Sequence, residues 1–236
     1  MHGSTSLDTV LEVSTTKASS AVTVRAQRRA WAVVGVLWGT YFLVRAVDAT
    51  EAIEHVAKAL LMPALLLWVL AALGSAAPRW LVRGLVFATL GDIAILYIFE
   101  LGIIGFLVMQ ICYILGFLAL GARAGLRRRW RVAAAYAAVW LGVNAILGPS
   151  LGALQGPVLV YSLAICVMAA LAAGVSARVG FGAALFLLSD ALIALGEAGI
   201  GLPGRAVLIM PTYLAGQYLI ATGWARRVDA DVVVPI

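Results

Sequence analysis

Two aspartates stand where an acid is costly. Asp92, in Ala88-Thr89-Leu90-Gly91-Asp92-Ile93-Ala94, and Asp190, in Phe186-Leu187-Leu188-Ser189-Asp190-Ala191-Leu192, each interrupt a long apolar run. An ionisable side chain near a bilayer centre costs about 2.5–3.5 kcal/mol on insertion scales, so it normally faces a bundle interior and has a task. The plain structural alternative is bracing, through hydrogen bonds to Ser, Thr or backbone of a neighbouring helix. Two such acids at comparable depth favour chemistry over bracing. Carboxylates sharing a low-dielectric site do not readily both carry charge, so one can hold a proton as general acid while the other serves as base. The same pair would also suit a proton relay in a transporter, and composition does not separate these two uses.

Other chemistries are excluded by what is missing. The only histidines are His2 and His55, so neither a clustered-His iron site nor an HExxH zinc site can be assembled, and no metal site is expected. A formal GxSxG occurs at Gly148-Pro149-Ser150-Leu151-Gly152. No triad histidine follows it, and it reads as a turn that ends a helix. There is no P-loop and no dinucleotide fingerprint. Cys112 and Cys166 fall inside apolar runs and read as small buried residues rather than a disulfide.

The acids must be positioned by elements that the overall composition already defines. Of 236 residues, 64% are apolar and 12% charged, and the mean hydropathy is +1.03. That is too little charge to cover a soluble globule and too much apolar content for disorder. The expected fold is all-α, a polytopic helical bundle in a membrane. About 20 residues are needed per crossing. Apolar runs between charges or Pro/Gly breaks give eight, at 31–47, 56–74, 80–98, 101–121, 130–148, 157–175, 179–198 and 205–224, with the break between the third and fourth resting on the stretch around Glu100. Seven is the rival count. Residues 1–28 read as a flexible cytoplasmic tail without the pattern of a signal peptide, 29–226 as the transmembrane domain and 227–236 as a short cytoplasmic tail.

The basic residues test this topology independently. Lys17, Arg25, Arg28 and Arg29 precede the first span. Arg79 and Arg83 follow the second, Arg123, Arg127, Arg128, Arg129 and Arg131 lie around the fourth-to-fifth connection, Arg178 follows the sixth, and Arg226 and Arg227 follow the eighth. Only Arg45, Lys58 and Arg205 fall on the opposite side. By the positive-inside rule both termini are cytoplasmic, and Trp31, Trp80, Trp130 and Trp224 fall at the cytoplasmic ends where an aromatic belt is expected. The net charge of +6 therefore suits anionic lipid headgroups rather than nucleic acid. A multi-pass protein of the cell membrane is expected, with its oligomeric state open.

Within this topology each Asp lies about two-thirds along an outward-running span. Other polar side chains fall in the same outer half: Tyr41, Arg45, Glu54, Lys58, Gln110, Asn144, Tyr161, Tyr213 and Gln217. This is the pattern of a polar cavity opening outward. Tyr213 and Gln217 share one helix face. Pro63 and Pro211 each remove a backbone donor and are expected to kink their helices. The spacings Gly35/Gly39, Gly121/Gly125 and Gly148/Gly152/Gly156 suit close helix approach.

Several stretches together carry a resemblance. They are Leu90-Gly91-Asp92; Gly102 to Tyr113 (GIIGFLVMQICY); Tyr161 with Met168; Gly182 to Asp190, ending Ser189-Asp190; and Met210-Pro211-Thr212-Tyr213 running through Gln217 to Ile220. As a set, from about residue 55 to 223, the chain resembles the YhhN / TMEM86 family of integral membrane proteins, whose characterised members are lysoplasmalogenases. Lys58 with Pro63 fits the family's Thr-Lys-Pro segment only loosely. The resemblance implies hydrolysis of the vinyl ether bond of a lysolipid to a fatty aldehyde and a glycerophospho-alcohol, without a cofactor, with Asp92 and Asp190 as the essential acids. Tyr113, Ser189, Tyr213 and Gln217 would support the site, and Lys58 or Arg45 would meet the phosphate. Gln110 stands where family members commonly carry His; it exchanges hydrogen bonds but does not titrate. A proton-coupled transporter and a non-catalytic lipid-binding protein are the alternatives.

Overall fold

The computed structural model describes residues 31–47 and 50–233, with side chains described to Arg227. The expected tail over 1–28, with Lys17, Arg25, Arg28, Arg29 and His2, lies outside the described residues. Every apolar run expected to be helical is helical. The elements are α1 (Trp31–Ala46), α2 (Glu51–Ala59), α3 (Leu61–Leu73), α4 (Arg79–Ala94), α5 (Phe99–Ala119), α6 (Ala122–Arg128), α7 (Trp130–Leu147), α8 (Gln155–Val175), α9 (Ala177–Glu197) and α10 (Arg205–Val233). No strand occurs among the described residues.

Among the described residues six helical stretches are long and apolar enough to cross a membrane: Glu51–Ala76, Phe99–Ala119, Trp130–Ser150, Gly152–Val175, Ala177–Glu197 and Arg205–Arg227. This is a multi-pass membrane protein. Its surface agrees, since Phe181, Ile146, Leu141 and Val207 are each more than 60% exposed, which lipid tolerates and water does not. Two expected spans are shorter. α4 has 16 residues, roughly 24 Å of helix against a hydrocarbon layer of about 30 Å, and α1 is likewise short. The chain turns between α4 and α5 over 95–98, earlier than the stretch around Glu100, which instead opens α5 as its acidic first-turn residue. A carboxylate there is favoured by the helix dipole. Asp92 consequently lies in the last turn of α4 rather than two-thirds along a longer span.

The chain forms two compact units, up to Ala77 and from Pro78 onward. In the first, the run expected as one helix is divided at Leu60. Pro63 explains the division, because it has no N–H for the Ala59 carbonyl and its ring crowds that oxygen. Trp31 packs on Trp68 with ring centroids 4.6 Å apart, and the Trp38 indole N–H donates to the Leu61 carbonyl at 3.4 Å.

In the second unit α4 packs along α5, and α9 along α10. α8 touches α5, α6, α7 and α9. The α9–α10 seam is closest at two facing glycines: a Cβ on Gly182 would stand 2.8 Å from the Gly216 carbonyl, and one on Gly216 would stand 2.8 Å from the Gly182 carbonyl. These glycines were not those that the spacing pattern selected. Gly35, Gly39, Gly121, Gly152 and Gly156 face open space; of that set Gly125 meets the backbone of Gly174, and Gly148 meets only the Gln155 side chain. The reason is that a small-x-x-x-small pattern marks one helix face, whereas close approach needs a small residue on the facing helix as well. The turn expected at Gly148–Gly152 is present as two short 3₁₀ segments.

Trp224 corrects the aromatic belt. It is 1% exposed, with its ring 6.0 Å from Tyr113 and 5.0 Å from Phe117, and Gly116 leaves the space that it fills. It is a core residue. Trp130 is exposed, and Trp80 lies beneath Arg79 and Arg83 at 5.6 and 4.9 Å. Cys112 and Cys166 are free and buried.

Gly182→Leu is expected to destabilise the second unit by about 1–3 kcal/mol or more, the range for overpacking. Gly142→Leu, at a glycine facing open space, should leave it unaffected. Thermal unfolding in detergent and the monodisperse fraction on size exclusion distinguish the two.

Candidate active site

Five helices of the second unit bring their polar side chains together. α4 contributes Asp92, α5 Met109, Gln110 and Tyr113, α8 Tyr161, α9 Asp190, and α10 Tyr213 and Gln217. On α5, Met109 and Gln110 lie four and three residues before Tyr113, so all share one face. Tyr213 and Gln217 do the same on α10.

Each acid receives a tyrosine hydroxyl. The Tyr213 O–H donates to Asp92 Oδ2 at 2.7 Å, and the Tyr161 O–H donates to Asp190 Oδ2. Hydrogen bonds to an ionised acceptor are roughly twice as strong as neutral ones, so the tyrosines both hold and orient the carboxyls. The two carboxylates are near enough to interact electrostatically. Their settings differ: Asp92 is 2% exposed, whereas Asp190 is half-buried and reached from the surface. The Tyr213 ring is fixed between Phe106, edge-on at 6.0 Å, and Phe186 at 5.7 Å.

A second layer lies below. The Tyr113 O–H donates to Gln217 Oε1 at 2.8 Å, and Gln217 Nε2 donates to the Met109 sulfur at 3.2 Å. Gln110 is wholly buried, with the Tyr161 hydroxyl as its polar neighbour.

Pro211 lies inside α10 within this region and removes one backbone donor, and side-chain hydroxyls donate to carbonyls of the turn before it. Thr212 Oγ1 donates to Leu208 and Ile209 at 2.7 and 3.0 Å, and Ser189 Oγ donates to Ile209 at 3.1 Å. Ser189 therefore ties α9 to α10 rather than facing the acids. Asn144 also has other partners, donating to Ser162 Oγ of α8 at 3.0 Å and to the Trp140 carbonyl of its own helix α7 at 2.8 Å. Arg45 and Lys58 belong to the first unit, where Arg45 forms an ion pair with Glu54. Among the described residues, no three His, Cys, Asp or Glu side chains cluster as metal ligands.

Sequence reasoning missed Phe106, Phe186, Met109 and Ser162. Phe106 and Met109 sit in the Gly102–Tyr113 stretch and Phe186 one turn before Asp190, but nothing distinguishes an apolar residue that seats a tyrosine from one that faces lipid until the facing helix is placed.

Residues 53–224 match the YhhN family. The chain belongs to the YhhN family. Two relatives named lysoplasmalogenase, from Mycobacterium bovis and Mycobacterium tuberculosis, are each 33% identical over 227 residues, covering 87% of this chain and 86% of theirs. No solved structure matches. The YhhN match takes in every residue of the acid cluster and leaves out Arg45.

Tyr113→Phe is expected to strand the buried Gln217 oxygen and lower stability by about 1–3 kcal/mol. Adding Gln217→Leu should cost less than the sum of the single changes, because the orphaned group is then removed. A double-mutant cycle on detergent unfolding midpoints measures this.

Proposed function

We propose that this protein is a membrane hydrolase that cleaves the vinyl ether bond of a lysoplasmalogen or related single-chain ether lipid, with Asp92 and Asp190 as its acid–base pair. The observation that carries the reading is the convergence of these two acids from α4 and α9, each on its own tyrosine donor. The naming of both mycobacterial relatives supports it.

The chemistry requires little more than this pair. One carboxyl delivers its proton to the carbon of the vinyl group remote from oxygen, and the ether oxygen donates electron density to form an oxocarbenium ion. The other carboxylate faces that cation and stabilises it through its charge. A water held by the same carboxylate gives up a proton to it and adds to the cationic carbon. The resulting hemiacetal collapses to the fatty aldehyde and the glycerol hydroxyl, and one water is consumed overall. Tyr161 and Tyr213 keep the carboxyls aimed, and Gln110 offers an amide to the water or the glycerol oxygen. Lipid enters from the Asp190 side, where the cluster reaches the surface. In the cell membrane the chain crosses eight times with both termini cytoplasmic, the two shorter helices α1 and α4 included.

Purified protein in mixed micelles is expected to release fatty aldehyde from a lysoplasmalogen. Asp92→Asn and Asp190→Asn should each lower that release by about 10²-fold or more, the range for a lost general acid or base, with size-exclusion behaviour unchanged. Full activity in either variant would falsify the paired-acid mechanism, and substrate-dependent proton flux in liposomes without any aldehyde would replace hydrolysis by transport. Gln110→His places a group titrating near neutral pH in the site, so its pH–rate profile is expected to gain a further break between about pH 5 and 8, in addition to those set by the two acids.

A further inference from the structure

The turn from α9 to α10 runs Gly196-Glu197-Ala198-Gly199-Ile200-Gly201-Leu202-Pro203-Gly204-Arg205 and borders an open cleft of about 540 Å³. Arg205 lines it. Its Nη1 donates to the Leu192 carbonyl at 3.1 Å, and its guanidinium lies so close over Gly196 that any side chain there would collide with it. Among the described residues no carboxylate forms an ion pair with it. A permanent cation is thus seated by a neutral carbonyl and a residue without a side chain, at the wall of a cleft. A guanidinium fork matches a phosphate through two parallel N–H···O bonds.

Its place along the helices fits a substrate reaching the acids. Leu192 and Gly196 follow Asp190 on α9 by roughly 3 and 9 Å of helix axis, and Arg205 precedes Tyr213 on α10 by roughly 12 Å. The glycerol unit between a vinyl ether oxygen and phosphorus spans roughly 6 Å, to which the fork adds a hydrogen bond. Arg45, by contrast, is already engaged by Glu54.

We infer that Arg205 binds the phosphate of the substrate headgroup and is the residue through which that phosphate contributes to affinity. This rests on the hydrolase reading above and names the part of the lipid recognised.

The test compares an alkenyl-glycerophosphocholine with an alkenylglycerol lacking the phosphate. The parent protein is expected to prefer the former at least about tenfold in kcat/KM. Arg205→Gln should erase most of that preference, chiefly through KM, and Arg205→Lys, which keeps the charge without the fork, should retain part of it. An unchanged preference in Arg205→Gln, or equal losses on both lipids, overturns the proposal and leaves the hydrolase reading standing. A second arm needs no variant and no turnover: binding of a saturated alkyl-glycerophosphocholine and of the matching alkylglycerol, followed by tryptophan fluorescence. Tighter binding of the phosphate lipid by about tenfold supports the proposal even if no aldehyde is ever released, and equal binding overturns it. Inorganic phosphate binding more tightly than the alkyl-glycerophosphocholine would assign the cleft to free phosphate and overturn the headgroup assignment.

Discussion

A carboxylate carried into an apolar helix bundle must be given its hydrogen bonds by other helices, because neither lipid nor its own backbone can supply them. This requirement organises the second unit. Asp92 takes the Tyr213 hydroxyl across the α4–α10 contact, and Asp190 takes the Tyr161 hydroxyl across α8–α9. Each pairing fixes the rotation of two helices about their axes, since turning either by one residue would aim the tyrosine elsewhere. The Tyr113–Gln217–Met109 chain repeats the device between α5 and α10 and leaves α10 little freedom.

Helix approach and polar contact depend on one another here. Tyr213 reaches Asp92 from a helix whose neighbour stands at glycine-to-glycine distance, Gly182 against Gly216. Pro211 removes one donor from the ladder of α10 in the turn just before Tyr213, and Thr212 and Ser189 donate to the carbonyls there. Ser189 and Asp190 are adjacent in sequence but do different things: one locks the α9–α10 seam and the other faces α8. A residue step of about 100° around the helix separates the two roles.

The helical character and order of the apolar runs were legible because hydrocarbon solvent imposes a long apolar run on every crossing helix, whereas among the described residues six stretches, against the eight expected, are long enough to cross. The division of α2 from α3 followed from Pro63, although its effect is a break rather than a kink. The α4–α5 turn was misplaced toward Glu100, because an acid at a helix N-terminus is stabilised by the dipole and a charge alone does not mark a loop. Trp224 was misjudged for a related reason. A tryptophan near a span's end suits the interface, and only Gly116 on a distant helix makes room for it inside.

Asp92 and Asp190 as the candidate pair were readable from the sequence alone, since an acid in an apolar run has a cost that composition makes visible. So were Tyr161, Tyr213 and Gln217 as their company. Which tyrosine serves which acid, that Gln110 is buried beside Tyr161, that Ser189 and Asn144 turn to other partners, and that Arg205 is seated on Gly196 were decided by tertiary structure. Hydropathy and spacing report the solvent that a residue meets and the helix face it occupies. Pairing depends on the rotation and approach of a second helix, and that is set by close packing among residues far apart in the chain.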